Sequence, residues 1–256
     1  VAMNARHHTR LLARVLGSAA LAAGGIGTLA LTSTTAPPAA AAQCPDVEVV
    51  FARGTGEPAG PGPTGQAFID ALRSRLPDKS MDVYSVNYPA TDQWATGVDG
   101  IRDAGAHVVD TANTCPNTKM VLGGYSQGAA VMGFVTSAEV PEGVDPATVP
   151  KPLDPSVAES VSAVVLYALP NVRAMNFLNE PPVAIGPLYR DKTVQLCVPE
   201  DAVCSLGLDF GAHNSYANNP AVINQGADFA AARINGVPVP PAPEQPAIVP
   251  PAPPAT

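Results

Sequence analysis

Lys119-Met120-Val121-Leu122-Gly123-Gly124-Tyr125-Ser126-Gln127-Gly128-Ala129-Ala130-Val131-Met132-Gly133-Phe134-Val135 changes character in its middle. Residues 119–123 form a short apolar run with strand character, and 129–135 a run of small apolar residues with helix character. Between them stands Gly124-Tyr125-Ser126-Gln127-Gly128, a Gly-x-Ser-x-Gly pentapeptide. A serine on such a strand-to-helix turn is held under strain with its hydroxyl exposed, and the flanking glycines let two backbones pass where a Cβ would clash. The helix that follows aims its first amides at the same point, where they can stabilise an oxyanion.

The pattern around this stretch extends the strand-then-helix reading in both directions. Residues 47–52 and 82–88 are short β-branched strands, and 161–167 and 193–197 supply two more. Residues 65–75 place Phe68, Leu72 and Leu76 on one helical stripe, 98–113 form a second amphipathic helix, and 221–234 a closing one. Alternation of this kind predicts an α/β fold: a three-layer sandwich with a central, mostly parallel sheet of about five strands covered by helices on both faces. Active sites in such sheets lie beyond the carboxyl ends of the strands, here after Ala52, Gly124 and Cys197. The stretch 140–155 is rich in Pro and Asp and is expected to be a surface loop.

Both ends of the chain fall outside this domain. Arg6, Arg10 and Arg14 form a basic region, residues 15–31 carry no charge, and Ala40-Ala41-Ala42 offers a small-residue cleavage site before Gln43. Residues 1–42 are therefore expected to be a signal peptide and not a stable transmembrane span, since the apolar run is short and diluted by Gly and Ser. Residues 237–256 hold nine prolines in twenty positions and are expected to be an extended, disordered tail. The domain then spans 43–236 and is large enough for a sizeable core. Removing three leader arginines reduces the cationic residues from 14 to 11 against 22 acidic ones. So acidic a chain is no candidate for binding nucleic acid, which needs clustered Lys and Arg.

Cys44, Cys115, Cys197 and Cys204 all lie within the domain. Four cysteines in an exported chain imply two disulfides, with three connectivities open. With His7 and His8 in the leader, only His107 and His213 remain, and no Cys-x-x-Cys occurs, so no metal site is expected. Nothing in the composition calls for a cofactor, and residues 53–56 match neither glycine-rich nucleotide motif.

A serine nucleophile needs a base, usually a histidine oriented by a carboxylate. In sheets of this kind the order is Ser, acid, His. His107 precedes Ser126 on a helix and reads as a packed histidine; His213 follows the last strand in a loop and is the candidate base. Asp191, Glu200, Asp201 and Asp209 all lie in the interval for the acid. Asp201 stands out because it falls inside Cys197-Val198-Pro199-Glu200-Asp201-Ala202-Val203-Cys204. A disulfide across so small a ring would contribute only about 2.5 kcal/mol to stability and would serve better to fix a side chain. The oxyanion donors expected are the Gln127 amide and, from the loop after the first strand, Thr55.

Phe51-Ala52-Arg53-Gly54-Thr55, Val86-Asn87-Tyr88-Pro89-Ala90, Cys115-Pro116-Asn117-Thr118, Gly123-Gly124-Tyr125-Ser126-Gln127-Gly128-Ala129 and the stretch from Cys197 to His213 occur in this order. Together they resemble the cutinase family of serine esterases, its actinobacterial branch in particular, over about 44–235. The resemblance implies an α/β-hydrolase fold without a large lid, and bridges Cys44–Cys115 and Cys197–Cys204. It implies Ser126 as nucleophile, Asp201 as acid, His213 as base, and Thr55 and Gln127 at the oxyanion hole. The expectation is a monomeric, secreted or cell-envelope-associated carboxylic ester hydrolase acting on a small-molecule or lipid ester. Short-to-medium acyl chains are expected, since a lidless, shallow site exposes its serine to soluble esters. A phospholipase A or polyester hydrolase would use the same residues. The alternative of another class is a non-catalytic surface-binding protein with a vestigial pocket, and the intact Ser, Asp and His set counts against it.

Overall fold

The computed structural model of the chain describes residues 44–239. The expected leader and all of the expected tail beyond residue 239 lie outside the described residues. Five strands, β1 (Val47–Ala52), β2 (Met81–Ser85), β3 (Lys119–Tyr125), β4 (Val161–Tyr167) and β5 (Thr193–Leu196), form one sheet in the order β2-β1-β3-β4-β5. Every neighbouring pair is parallel. The helices are α1 (Gly62–Arg75), α2 (Gly97–Thr114), α3 (Gln127–Val135), α4 (Val172–Phe177), α5 (Pro187–Arg190), α6 (Phe210–His213) and α7 (Pro220–Ile234). The α1–α7 pair packs on one face of the sheet and the α2–α3 pair on the other.

β1 shows why the central strands read as unbroken apolar runs. Val47, Val49 and Phe51 face the core shared with α1 and α7, while Val50 and Ala52 face α2 and α3. A strand covered on both sides has no solvent face, so its sequence does not alternate. Glu48 breaks the run and is nevertheless buried. Its carboxylate accepts hydrogen bonds from Thr111 and His107 on α2, each at 2.8 Å. Burial pushes the Glu48 carboxyl up, but those hydrogen bonds outweigh it and hold the group below the usual carboxylate range. His107 also stacks on Tyr84, with ring centroids 3.5 Å apart, which makes it a packed histidine tied to the opposite end of the sheet from Ser126.

Strand order positions the site. The chain leaves β1 for β2 on one side, then crosses back to β3 on the other. Crossovers that diverge from adjacent strands open a crevice at their carboxyl ends, here between β1 and β3. The residues after both strands enter that crevice.

Several boundaries differ from the sequence reading. The second strand ends at Ser85, not Tyr88. Val86 still donates to the Phe51 carbonyl at 2.9 Å, but the Asn87 amide is taken by the Asp103 carboxylate at 2.8 Å, which draws the chain off the sheet. α1 begins earlier, at Gly62, because proline fits the first turn of a helix. α4, α5 and α6 are too short to show a helical period and are absent from the reading. The stretch 140–155 is indeed irregular, yet Leu153 within it packs on the α2–α3 core.

Two helical glycines pose opposite steric situations. A Cβ on Gly128 would lie 2.0 Å from the Ala52 carbonyl oxygen, and one on Gly124 would lie 2.3 Å from the Gly128 oxygen. Both obstacles are backbone, so Gly128→Ala is expected to cost about 3 kcal/mol or more in chemical denaturation. On α2, a Cβ on Gly105 would meet only a Leu153 methyl at 3.6 Å, an ordinary contact. Gly105→Ala is therefore expected to stabilise the fold by about 0.5–1 kcal/mol in the same assay, the usual helix-interior difference.

Candidate active site

Ser126 sits at the junction of β3 and α3 with φ 54° and ψ −118°. Residues other than glycine rarely adopt positive φ, and the surrounding structure must impose it. Here the Ser126 amide donates to the Tyr167 carbonyl at the end of β4 at 3.0 Å. The Gly124 and Gly128 backbones pass in contact beneath it. The turn therefore projects the hydroxyl from the carboxyl edge of the sheet.

His213, the last residue of α6, brings Nε2 within 2.9 Å of Ser126 Oγ. Its Nδ1 lies 2.9 and 3.0 Å from the two Asp201 oxygens. A carboxylate on that side selects the tautomer with the proton on Nδ1, so Nε2 accepts from the serine hydroxyl. Tyr125 holds the ring from behind. Its hydroxyl donates to the His213 carbonyl at 2.6 Å, and the two rings stack with centroids 5.4 Å apart.

Asp201 is fully buried. Besides His213, its carboxylate accepts from the Val203 amide at 2.7 Å and the Tyr216 hydroxyl at 2.8 Å. The Tyr216 hydroxyl in turn accepts from the Val198 amide at 2.9 Å. Burial pushes the Asp201 carboxyl up, but the bonds from His213, Val203 and Tyr216 outweigh it and hold the group below its ordinary value. The ionised form is thus favoured by folding. Its contribution to stability is fully present above the unfolded carboxyl value of about 4 and is lost as pH falls through the lower folded value. Thermal melts should show Tm dropping on acidification below about pH 4, with a shallower drop in Asp201→Asn.

The rival acids are elsewhere engaged. Asp209 caps α6 by accepting from the Gly211 amide at 2.6 Å, Asp191 follows α5, and Glu200 is exposed. Among the described residues none of them hydrogen-bonds to His213. The loop that carries Asp201 is closed by Cys197–Cys204, and Cys44–Cys115 ties the start of the domain to the end of α2. Cys197, Asp201 and Cys204 bring potential ligand atoms within 4.8 Å of one another. With both sulfurs in a disulfide and the carboxylate so heavily hydrogen-bonded, that trio has no metal-site chemistry to offer.

The loop after β1 approaches the serine from the other side. Arg53 is buried and donates to the carbonyls of Glu57, Val86 and Tyr88, while the Tyr88 hydroxyl donates back to the Arg53 carbonyl. The Gly54 amide is taken by the Glu57 carboxylate at 2.7 Å and the Gly56 amide by the Ala90 carbonyl at 2.7 Å. Of these three consecutive amides, that of Thr55 alone lacks an acceptor among the described residues. The Gln127 amide is the first of α3, where no intrahelical acceptor exists. The Gln127 side chain is buried and donates to the Thr91 carbonyl at 2.9 Å. Arg53, Glu57, Tyr125 and Tyr216 were not singled out from the sequence. The one available signal was a charged residue, Arg53, directly after a buried strand.

Apolar side chains stand exposed on α4 and on the segment that joins Asp201 to His213. Phe177 on α4 is 89% exposed and Leu208 81%, and Leu206 and Phe210 are exposed as well. Arg173 pins α4 to the same loop through the carbonyls of Ala202, Ser205 and Gly207.

The profile of the cutinase family matches residues 43–234. The chain belongs to the cutinase family. This cutinase-family chain is 53% identical over 174 residues to "Probable carboxylesterase Culp5" of Mycobacterium tuberculosis, covering 68% of this chain and 99% of that protein. It is 44% identical over 222 residues to "Phospholipase Culp4" of the same organism, covering 87% and 93%. In fold it is similar to an acetyl xylan esterase solved as an iodinated complex. The TM-score is 0.62 at 24% identity, over 75% of this chain and all of that one. The cutinase-family protein has the α/β-hydrolase fold and is a carboxylic ester hydrolase. Among its described residues, no helix is long and apolar enough to cross a membrane.

Proposed function

We propose that the protein is a secreted serine esterase that cleaves short-to-medium acyl esters through an acyl-enzyme, with Ser126 as nucleophile, His213 as base and Asp201 as acid. The observation that carries this reading is the unbroken hydrogen-bonded chain from Ser126 Oγ through His213 to the buried carboxyl group of Asp201. Ser126 Oγ attacks the ester carbonyl carbon while His213 Nε2 takes its proton. The carbonyl oxygen becomes an oxyanion held by the free amides of Gln127 and Thr55. His213 then gives the proton to the departing alkoxide, and the C–O bond breaks to leave Ser126 acylated. Water repeats the sequence, losing its proton to His213 and releasing the acid. Asp201 stays ionised throughout, orienting the imidazole and stabilising its cationic form. Two disulfides and the leader-like first 42 residues support export.

A lipid ester is a second substrate favoured by a specific observation: the exposed apolar side chains Phe177, Leu206, Leu208 and Phe210 suit an apolar substrate. The 44% identity to a protein named as a phospholipase points the same way. Replacing the base tests the mechanism. Because Nε2 must accept the serine proton, His213→Ala is expected to lower kcat/KM for p-nitrophenyl butyrate by about 10⁵–10⁶-fold. Hydrolysis within about tenfold of the parent chain would remove His213 from the role of base.

A further inference from the structure

One opening on the described surface lies to the side of Ser126. A cavity of about 650 Å³ runs between α2 and α3 and is roofed by the irregular stretch that follows α3. That volume falls within the roughly 300–1,000 Å³ of small-molecule sites. Its inner wall comes from Val98, Ile101 and Val109 on α2 and Val131 and Phe134 on α3, and the roof contributes Leu153. Most charged residues that border it, Arg102 and Lys151 among them, are exposed and mark the side open to water, while Glu180 is half-buried.

Two observations tie this cavity to the ester-cleaving centre. Gln127, the residue after Ser126, forms part of its wall, and the wall continues along α3 as far as Val135. Nine helical residues give a run of about 13 Å that starts beside the nucleophile. The space is also kept open by glycine. Gly97 and Gly105 on α2 border it, and a Cβ at either would meet only side-chain methyls, at 3.8 and 3.6 Å. Neither has positive φ or a backbone neighbour that requires glycine. Gly105 lies inside α2, where glycine is unfavourable, so what it provides is room, while Gly97 opens the helix.

We infer that this α2–α3 cavity is an acyl-chain site. It takes the distal part of a long, unbranched fatty acyl group whose carbonyl is held at Ser126, extending the enzyme's range from medium chains to lipid-class esters. The occupant is an alkyl chain because the inner wall is mainly aliphatic and aromatic, with Gln127 and Ser137 its buried polar exceptions. A peptide or sugar would leave its polar groups unpaired there, whereas methylenes have none to satisfy. The inference rests on the reading of Ser126 as the nucleophile. Short acyl groups end before the cavity and should be indifferent to it.

The test compares p-nitrophenyl butyrate with p-nitrophenyl palmitate on the full chain and on Gly105→Phe, which places a ring in the cavity remote from the hydrogen-bonded centre. Gly105→Phe is expected to keep butyrate kcat/KM within about twofold and to lower palmitate kcat/KM by at least about tenfold, the scale of discrimination by a hydrophobic pocket. Equal change at both lengths, or no palmitate turnover by the parent chain, overturns the proposal. A second arm does not depend on turnover. Ser126→Ala is titrated with cis-parinaric acid, and its fluorescence enhancement should be lost when Gly105→Phe is added. Saturable binding unaffected by Gly105→Phe, or no binding at all, overturns the cavity as the chain site. Failure of the nucleophile reading shows separately, as ester turnover that survives Ser126→Ala.

Discussion

Ser126→Ala is expected to lower kcat/KM for p-nitrophenyl butyrate by about 10⁵–10⁶-fold, the scale seen when the nucleophile of a hydrogen-bonded triad is removed. The reason is local. Ser126 Oγ is the atom that His213 Nε2 contacts at 2.9 Å, and alanine leaves the imidazole nothing to deprotonate. The elbow itself should persist, since its strain is imposed by the Ser126 amide bond to Tyr167 and by the glycine contacts, none of which uses the hydroxyl. Circular dichroism and the denaturation midpoint should therefore match the parent chain. Hydrolysis within about a hundredfold of the parent would assign turnover to another group.

Asp201→Asn is the second large effect, a fall in kcat of about 10⁴-fold. An ionised carboxylate accepts from His213 Nδ1, the Val203 amide and the Tyr216 hydroxyl at once. Asparagine offers one acceptor oxygen and turns an NH₂ towards groups that are themselves donors. His213 can meet that NH₂ only by presenting an unprotonated Nδ1, which puts its proton on Nε2, where Ser126 needs an acceptor. Stability should fall as well, because a fully buried site is left with mismatched donors. Steady-state kinetics with a thermal melt measures both. Activity within tenfold of the parent would shift the acid to Glu200 or Asp209, despite their exposure and the capping bond of Asp209.

What the sequence made legible follows from the range of the interactions involved. The elbow was readable because everything that defines it is contiguous: a buried strand, two glycines that meet backbone, and a helix of small residues. Strand-helix alternation likewise gave the parallel sheet. β2 was read three residues too long because Val86 and Tyr88 are as apolar and buried inside the loop as in a strand. The event that ends the strand, Asp103 taking the Asn87 amide, comes from a helix sixteen residues on. α4 and α6 are too short for periodicity, although Asn171 and Asp209 cap them in the ordinary way.

The supporting side chains lie further from sequence view. Tyr216 reaches Asp201 across fifteen residues, Tyr125 reaches the His213 carbonyl across 88, and Glu48 meets His107 across 59. No local pattern announces such pairs. The α2–α3 cavity was hidden for a different reason. The stretch that roofs it is full of Pro and Asp, which read as solvent-facing, while the apolar residues spaced among them turn inwards.

The central claim is that Ser126 is a nucleophile activated by His213, and covalent trapping tests it most directly. The parent chain, Ser126→Ala and His213→Ala are each treated with diisopropyl fluorophosphate, digested and mapped by mass spectrometry. The account predicts one phosphoryl adduct, on Ser126 of the parent chain, formed as its oxygen displaces fluoride. It predicts no adduct in Ser126→Ala and labelling slowed by orders of magnitude in His213→Ala, in line with loss of the base. An adduct on another residue, or Ser126 labelled equally fast without His213, would contradict it.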